Sequence, residues 1–397
     1  MPEIGESLFW ISLCAVLAPV LAGIVLRGRV SEVVLLLGLG VLIGPNALEL
    51  AIDSEGVEML RELGLGMLFL LAGYELEVKE LTGRGGRRAA VSWMLCLAIA
   101  VALVVILGTT SPLDAEIAVA IAMTSTALGT LLPILKDGGL LGTKLGRTVM
   151  NHGAYGELGP IVAMAVLLGV RGPAESLVVL GAFALLAVLV HRFSSRLSRT
   201  KLLHVVRLGA ETSGQTQVRL VVLLLVTLTA AASVFDLDAV LGAFAAGFVL
   251  RQLVPEGHES LEHKLSGLAF GLLIPVFFIT SGMAIDPRAI VEEPVMLASF
   301  VLLIFVIRGG VVFVSTLTEG GYDRRESAAV AMFASTGLPI IVAVTSVAVT
   351  AGEMSATTAS VLVAGGALTV LICPLVGQQL VGRAHPDRVT TAGARDD

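Results

Sequence analysis

The chain has 397 residues, 56% of them hydrophobic and only 15% charged, with a mean hydropathy of +0.93. Apolar runs of about 20 residues recur from end to end, which excludes a water-soluble globular domain and predicts an all-α polytopic membrane protein. The formal net charge of −6 is spread over short connectors, with no basic concentration of the kind nucleic acid requires; Cys14, Cys96 and Cys373 lie inside apolar runs, without the spacing of a disulfide framework or a metal site.

The opening MPEIGES lacks the basic region of a cleaved signal peptide, so the first apolar run is expected to be a retained span. Apolar length and charged breaks predict about 13 transmembrane helices, at roughly 8–26, 31–48, 57–76, 89–108, 115–135, 145–170, 175–191, 218–235, 237–252, 264–284, 295–317, 326–350 and 358–381. Basic residues collect in alternate connectors, among them Lys79, Arg84, Arg87 and Arg88, then Lys136, Lys144 and Arg147, then Arg324 and Arg325. The intervening connectors are acidic or nearly neutral, as at Glu49 and Asp53 or Glu292 and Glu293. This alternation predicts an outside N-terminus and a cytoplasmic C-terminus.

The long polar connector at 192–217 divides the chain into two blocks that resemble each other. AGYELEVKEL around Gly73 matches SGMAIDPRAI around Gly282, and MTSTALGTLLP around Ser125 matches FASTGLPIIVA around Ser335, at offsets of about 209 and 210. With a single helix at about 175–191 between six-span blocks, the second block enters the membrane with opposite polarity. The expected domain is 1–381, with repeat one at about 8–170, repeat two at about 218–381, and a short polar cytoplasmic tail at 382–397. Such inverted repeats belong to secondary transporters, whose sites lie near the midplane.

Thr124, Ser125, Thr126 and Gly129 interrupt one span; Ser335, Thr336, Gly337 and Pro339 interrupt its counterpart. Both clusters are predicted to be broken helices whose hydroxyls satisfy freed backbone groups or coordinate an ion, against the alternative of small residues that only permit packing. Glu157, in NHGAYGELGP, stands near the centre of an apolar run, where a charge costs roughly 2.5–3.5 kcal/mol on insertion scales. It reads as a site where H+ and a monovalent cation compete, or as a structural ion pair between helices; Gly153 and Ala154 beside it leave room for a helix or an ion. Arg308 is the second intramembrane charge and is expected to balance broken-helix ends or a buried carboxylate. Asn151 and His152 fall on other faces, toward the cytoplasmic end, with His152 a candidate pH-sensing group; Glu75 fits surface electrostatics as well as a transport role.

Stretches such as LGLGMLFLLAGYELE, LDAVLGAFAAGFVLR and LLIPVFFITSGMAID, in this order and spacing, resemble the membrane domain of the monovalent cation:proton antiporters, in particular their second branch of bacterial sodium or potassium/proton exchangers. The resemblance covers nearly the whole chain. In that family the ion-binding acid follows a Gly-Arg pair by about ten residues, which implies Glu157 after Gly146-Arg147; the family's basic residue implies Arg308, and its crossed broken helices imply the Thr124 and Ser335 clusters. Where many members carry two polar or acidic residues, this chain has Gly156-Glu157, which predicts one proton-binding carboxylate and electroneutral exchange. The resemblance implies Na+ or K+ exchanged for H+ by alternating access, a bundle bearing the site that moves against a scaffold, a homodimer, a bacterial-type inner membrane and no cofactor. No Gly-rich turn of a nucleotide-binding gate occurs within the chain. Rival readings are a sodium-coupled organic-anion symporter holding its substrate at Arg308, a membrane enzyme, for which no catalytic set gathers at one depth, and a passive channel.

Overall fold

The computed structural model describes residues 4–25, 31–76, 78–108, 115–168, 173–197, 215–253 and 259–384. Residues 198–214 of the predicted connector at 192–217, and 385–397 of the predicted tail, lie outside the described residues. Every regular element described is helical: α1 Ile4–Val20, α2 Glu32–Ile43, α3 Glu55–Glu75, α4 Val78–Leu81, α5 Gly83–Gly108, α6 Glu116–Met123, α7 Leu128–Asp137, α8 Lys144–Leu167, α9 Pro173–Leu197, α10 Thr216–Val234, α11 Ala239–Leu253, α12 Glu259–Leu268, α13 Ile274–Met283, α14 Pro287–Glu292, α15 Pro294–Leu303, α16 Gly310–Glu319, α17 Arg324–Ala334, α18 Leu338–Thr350 and α19 Ala356–Ala384. Wider π turns lengthen α1 at Leu21–Val25, join α12 to α13 at Ala269–Leu273, and join α15 to α16 at Ile304–Gly309.

Seven described helical runs are long and apolar enough to cross a bilayer, and four shorter apolar helices accompany them. Their surfaces are inverted relative to a soluble protein. α5 buries Trp93, Cys96 and Ala100 while exposing Val91, Met94, Leu95 and Ile106, a face that only hydrocarbon accommodates at such extent. The chain is an integral membrane protein, all-helical among the described residues; helix length alone supports seven crossings, and the expected thirteen is a larger number than that criterion gives.

Two expected boundaries shift for local reasons. α2 stops at Ile43 rather than near 48, because Gly44-Pro45-Asn46 turns the chain there. α9 continues through Leu197, since nothing in HRFSSRL breaks a helix as it leaves the apolar stretch. α17 begins sharply: Gly320 and Gly321 take φ of 78° and 80°, and Asp323 and Glu326 then form a reciprocal cap, with the Glu326 amide donating to Asp323 Oδ1 at 2.6 Å and the Asp323 amide to Glu326 Oε2 at 3.1 Å.

The helices gather into two units. One comprises Met1–Val20, Leu36–Glu77 and Ile161–Ala284. Its main contact is α3 against α11, where the backbones touch: a side chain at Gly73 would strike the Phe244 carbonyl, and one at Gly247 the Leu70 carbonyl. The other comprises Leu21–Leu35, Val78–Pro160 and Ile285–Asp397. Its core packs Leu128, Leu131 and Leu135 of α7 with Val149 of α8, Val312 of α16 and Val330 and Phe333 of α17. All the predicted site residues fall in this second unit, while Glu75 belongs to the first.

Candidate functional site

Both predicted breaks are present. α6 ends at Met123 and α7 begins at Leu128; α17 ends at Ala334 and α18 begins at Leu338, with Pro339 in its first turn. Thr124, Ser125, Thr126, Ser335 and Thr336 are all buried. The two interruptions cross and hydrogen-bond directly. The Ala127 amide donates to the Thr336 carbonyl at 2.5 Å, Ser125 Oγ donates to the Gly337 carbonyl at 3.1 Å, and Thr126 Oγ1 donates to the Ala334 carbonyl. Backbone groups that lost their helical partners thus find each other, as a polar group in hydrocarbon must.

The hydroxyls of Thr124, Ser125 and Ser335 close the helix ends. Thr124 Oγ1 donates to the Ile121 carbonyl at 2.8 Å, Ser125 Oγ also reaches the Ala122 carbonyl at 2.8 Å, and Ser335 Oγ donates to the Ala331 carbonyl at 2.8 Å. With its proton committed, each such oxygen presents lone pairs, which is the chemistry a cation requires.

α8 passes against this crossing. The Thr126 amide donates to the Gly156 carbonyl at 2.8 Å, and a Cβ at Gly153 would lie 2.6 Å from Leu128 Cδ1. The small face beside Glu157 therefore receives a helix, the start of α7. Glu157 itself is 3% exposed and directly follows Gly156.

Arg308 is fully buried, at 0% exposure. It stands in the π turn Ile304–Gly309, whose extra residue resets the helical register and so aims the side chain inward. Its Nη2 donates to the His152 carbonyl at 2.7 Å and to Thr126 Oγ1 at 2.9 Å; its Nε donates to Thr126 Oγ1 at 3.1 Å and to the Ala334 carbonyl at 3.4 Å. Cys96 completes this environment, with its Sγ donating to the Ile307 carbonyl at 3.6 Å and lying 4.0 Å from Arg308 Nη1. These bonds bring Arg308 to one broken-helix end, the Ala334 carbonyl, to Thr126 in the other break, and to a carbonyl inside α8. The carbonyl end of α17 carries partial negative charge, which the guanidinium offsets through Ala334.

Three further site residues have defined surroundings. Thr126, expected among the ion ligands, has its hydroxyl proton on Ala334 and its lone pairs on Arg308. His152, expected toward the cytoplasmic margin, is 3% exposed, its carbonyl takes the shortest bond of Arg308, and its Nδ1 has no hydrogen-bond partner among the described residues. Asn151 remains nearer the expected end, where a side chain at Gly85 of α5 would strike its amide. Cys96 and the π turn escaped sequence reasoning; a backbone register change and a weak thiol donor have no pattern in the residue order.

A family model described as sodium/hydrogen exchanger, transmembrane, matches residues 12–381. The chain is similar to a putative Na(+)/H(+) antiporter, YjbQ, of Bacillus subtilis (strain 168), 21% identical over 87% of this chain and 58% of that protein. It is similar to a glutathione-regulated potassium-efflux system protein, KefC, of Enterobacter sp. (strain 638), 26% identical over 78% of this chain and 49% of that one. The chain thus spans about half the length of the curated relatives it matches. In fold it is similar to the sodium proton antiporter MjNhaP1 from Methanocaldococcus jannaschii at pH 8, with a TM-score of 0.67 at 16% identity over 98% of this chain and 100% of that one. Nothing in these similarities supports an organic-anion symporter or an enzyme.

Proposed function

We propose, on the premise that the chain belongs to the sodium/hydrogen exchanger family, that it is a secondary antiporter exchanging a monovalent cation for H+ by alternating access, with Glu157 as the shared site. The observation that carries this reading is the conjunction in one unit of two crossed helix breaks and a buried carboxylate one residue beyond the crossing contact at Gly156. A carboxylate there holds either a proton or a cation. Thr124, Ser125 and Ser335 supply hydroxyl oxygens as supporting ligands, and Thr126 serves Arg308 instead of the ion.

Arg308 is the fixed counter-charge. Its donors are engaged by the carbonyls of Ala334 and His152 and by Thr126, so these fixed dipoles hold it in place through the cycle. A single exchangeable proton follows from Gly156. A side chain there would strike Thr126 Oγ1 and Arg308 Nη2, so the space a second acid would need is filled. One proton for one monovalent cation makes the exchange electroneutral. The cation enters from the cytoplasm, displaces the proton, and is replaced by a proton outside, so the proton gradient drives export. The proposal extends to a homodimer in a bacterial-type inner membrane with a cytoplasmic C-terminus.

Na+ is the favoured cation, since the Bacillus relative is named a Na(+)/H(+) antiporter and MjNhaP1 a sodium proton antiporter. K+ is the second reading, favoured by the similarity to the potassium-efflux protein. The test is proton flux in inverted vesicles from a strain without its own antiporters, with Na+, Li+ and K+ added separately over a pH series. Dequenching of a pH dye on adding Na+ is expected. A response to K+ alone selects the second reading, and no response to any cation refutes exchange.

A further inference from the structure

A groove of about 790 Å³ runs between α5 and the helix formed by Ile304–Gly309 and α16, entirely within the second unit. Its two ends differ in chemistry. One end is lined by Arg84, Arg87 and Arg88 from the first turns of α5; the remainder is walled by apolar residues, among them Val91, Val306 and Val314, each more than half exposed. Ser92 Oγ donates to Ser315 Oγ at 2.7 Å and closes the floor. Arg88 is engaged with Glu319 at 3.3 Å, whereas Arg84 and Arg87 make no ion pair among the described residues.

We infer that this groove binds one anionic phospholipid, with its phosphate at Arg84 and Arg87 and an acyl chain along the valines. The groove has the polarity of that molecule, a cationic head site continuing into an apolar trough. A free phosphate would leave the trough unused, and a zwitterionic lipid would bring its own cation beside the two arginines. The arginines also belong to the connectors that charge alternation assigns to the cytoplasmic side, where anionic lipid meets them. Basic pockets between membrane helices recognise such headgroups in this way. The trough includes Val306, two residues from Arg308 in the same π turn, so the bound chain braces the segment that carries the buried arginine. The inference does not rest on the exchange reading, because binding is measured without transport.

The test is native mass spectrometry of the purified full chain, stripped of lipid in detergent and given equal amounts of phosphatidylglycerol and phosphatidylcholine with matched chains. The wild type is expected to retain phosphatidylglycerol preferentially. The Arg84→Gln/Arg87→Gln variant should retain about 30-fold less, from a loss of roughly fivefold per arginine, while Arg84→Lys/Arg87→Lys should stay within a few-fold of wild type. Val314→Trp, which fills the trough and leaves the arginines intact, should lower retention of both lipids.

Equal retention of the two lipids by the wild type would overturn the inference, as would unchanged retention in the glutamine variant. Full displacement of phosphatidylglycerol by inorganic phosphate would reduce the feature to an anion site and also overturn it. If the glutamine variant does not give a monodisperse helical protein, the wild-type preference and the Val314→Trp result decide.

Discussion

Arg308 shows what a single buried charge demands of its surroundings. At membrane depth, where bulk water does not solvate it, the guanidinium takes two backbone carbonyls, Thr126 and the neighbourhood of Cys96. Replacing it by Gln strands those acceptors, at a cost on the order of 3–5 kcal/mol, so Arg308→Gln should lower the unfolding midpoint in detergent by at least about 5 °C; an unchanged midpoint would show that the bonds carry no net stability. Arg308→Lys should be nearly as damaging, because one ammonium cannot span His152, Thr126 and Ala334. Gly156 is the complementary case, since an added methyl meets both Thr126 and Arg308. Gly156→Ala is therefore expected to cost about 1–3 kcal/mol of stability through overpacking, and to cut exchange at least tenfold; full activity in that variant would disprove the close contact. Glu157 and Arg308 were legible in the sequence because a charge inside an apolar run is costly wherever the chain folds. The role of His152 was not, because its contribution is a carbonyl oxygen, which every residue possesses.

At the level of elements, the crossing of two broken helices depends on side chains that replace lost backbone bonds. Thr126 is the most connected of them, donating to Ala334 and accepting from Arg308. Thr126→Val keeps the shape and removes the hydroxyl, leaving Ala334 and Arg308 Nε only their 3.4 Å contact and Nη2 only His152, so a loss of about 1–3 kcal/mol is expected, read as a lower midpoint together with slower exchange. Thr126→Ser should restore both, and failure of that rescue would point to the methyl group instead. The breaks and their repeat were readable from two Ser/Thr-Gly-Pro clusters at a constant offset. The structure adds further correspondences at nearly that offset. The short helices α4 and α14 begin about 209 residues apart, and Leu128 meets Gly153 as Leu338 meets Gly366. Element ends were less readable, because Gly44-Pro45-Asn46 and HRFSSRL act through local backbone preference while hydropathy averages over a whole span. The π turn at Ile304–Gly309 left no trace in an otherwise uniform apolar run, although it decides where Arg308 points.

For the whole molecule, the apolar exterior and the alternation of basic connectors required no structure to read, since both express the solvent and not the packing. Division of the described residues into two units was not legible, because each unit is assembled from three separated segments, and α2, α8 and the run of α1 with its π turn each contribute to both. The central claim at this scale is that one carboxylate exchanges one proton for one cation. It is tested most directly by purified protein in proteoliposomes, with an imposed pH gradient, a potential clamped at a series of values, and internal Na+ measured at steady state. At balance the Na+ gradient should equal the H+ gradient at every potential, and Glu157→Gln should move no Na+ at all. A Na+ gradient that grows with potential would show more than one proton per cation, and Na+ accumulation by Glu157→Gln equal to the wild type would remove Glu157 from the site.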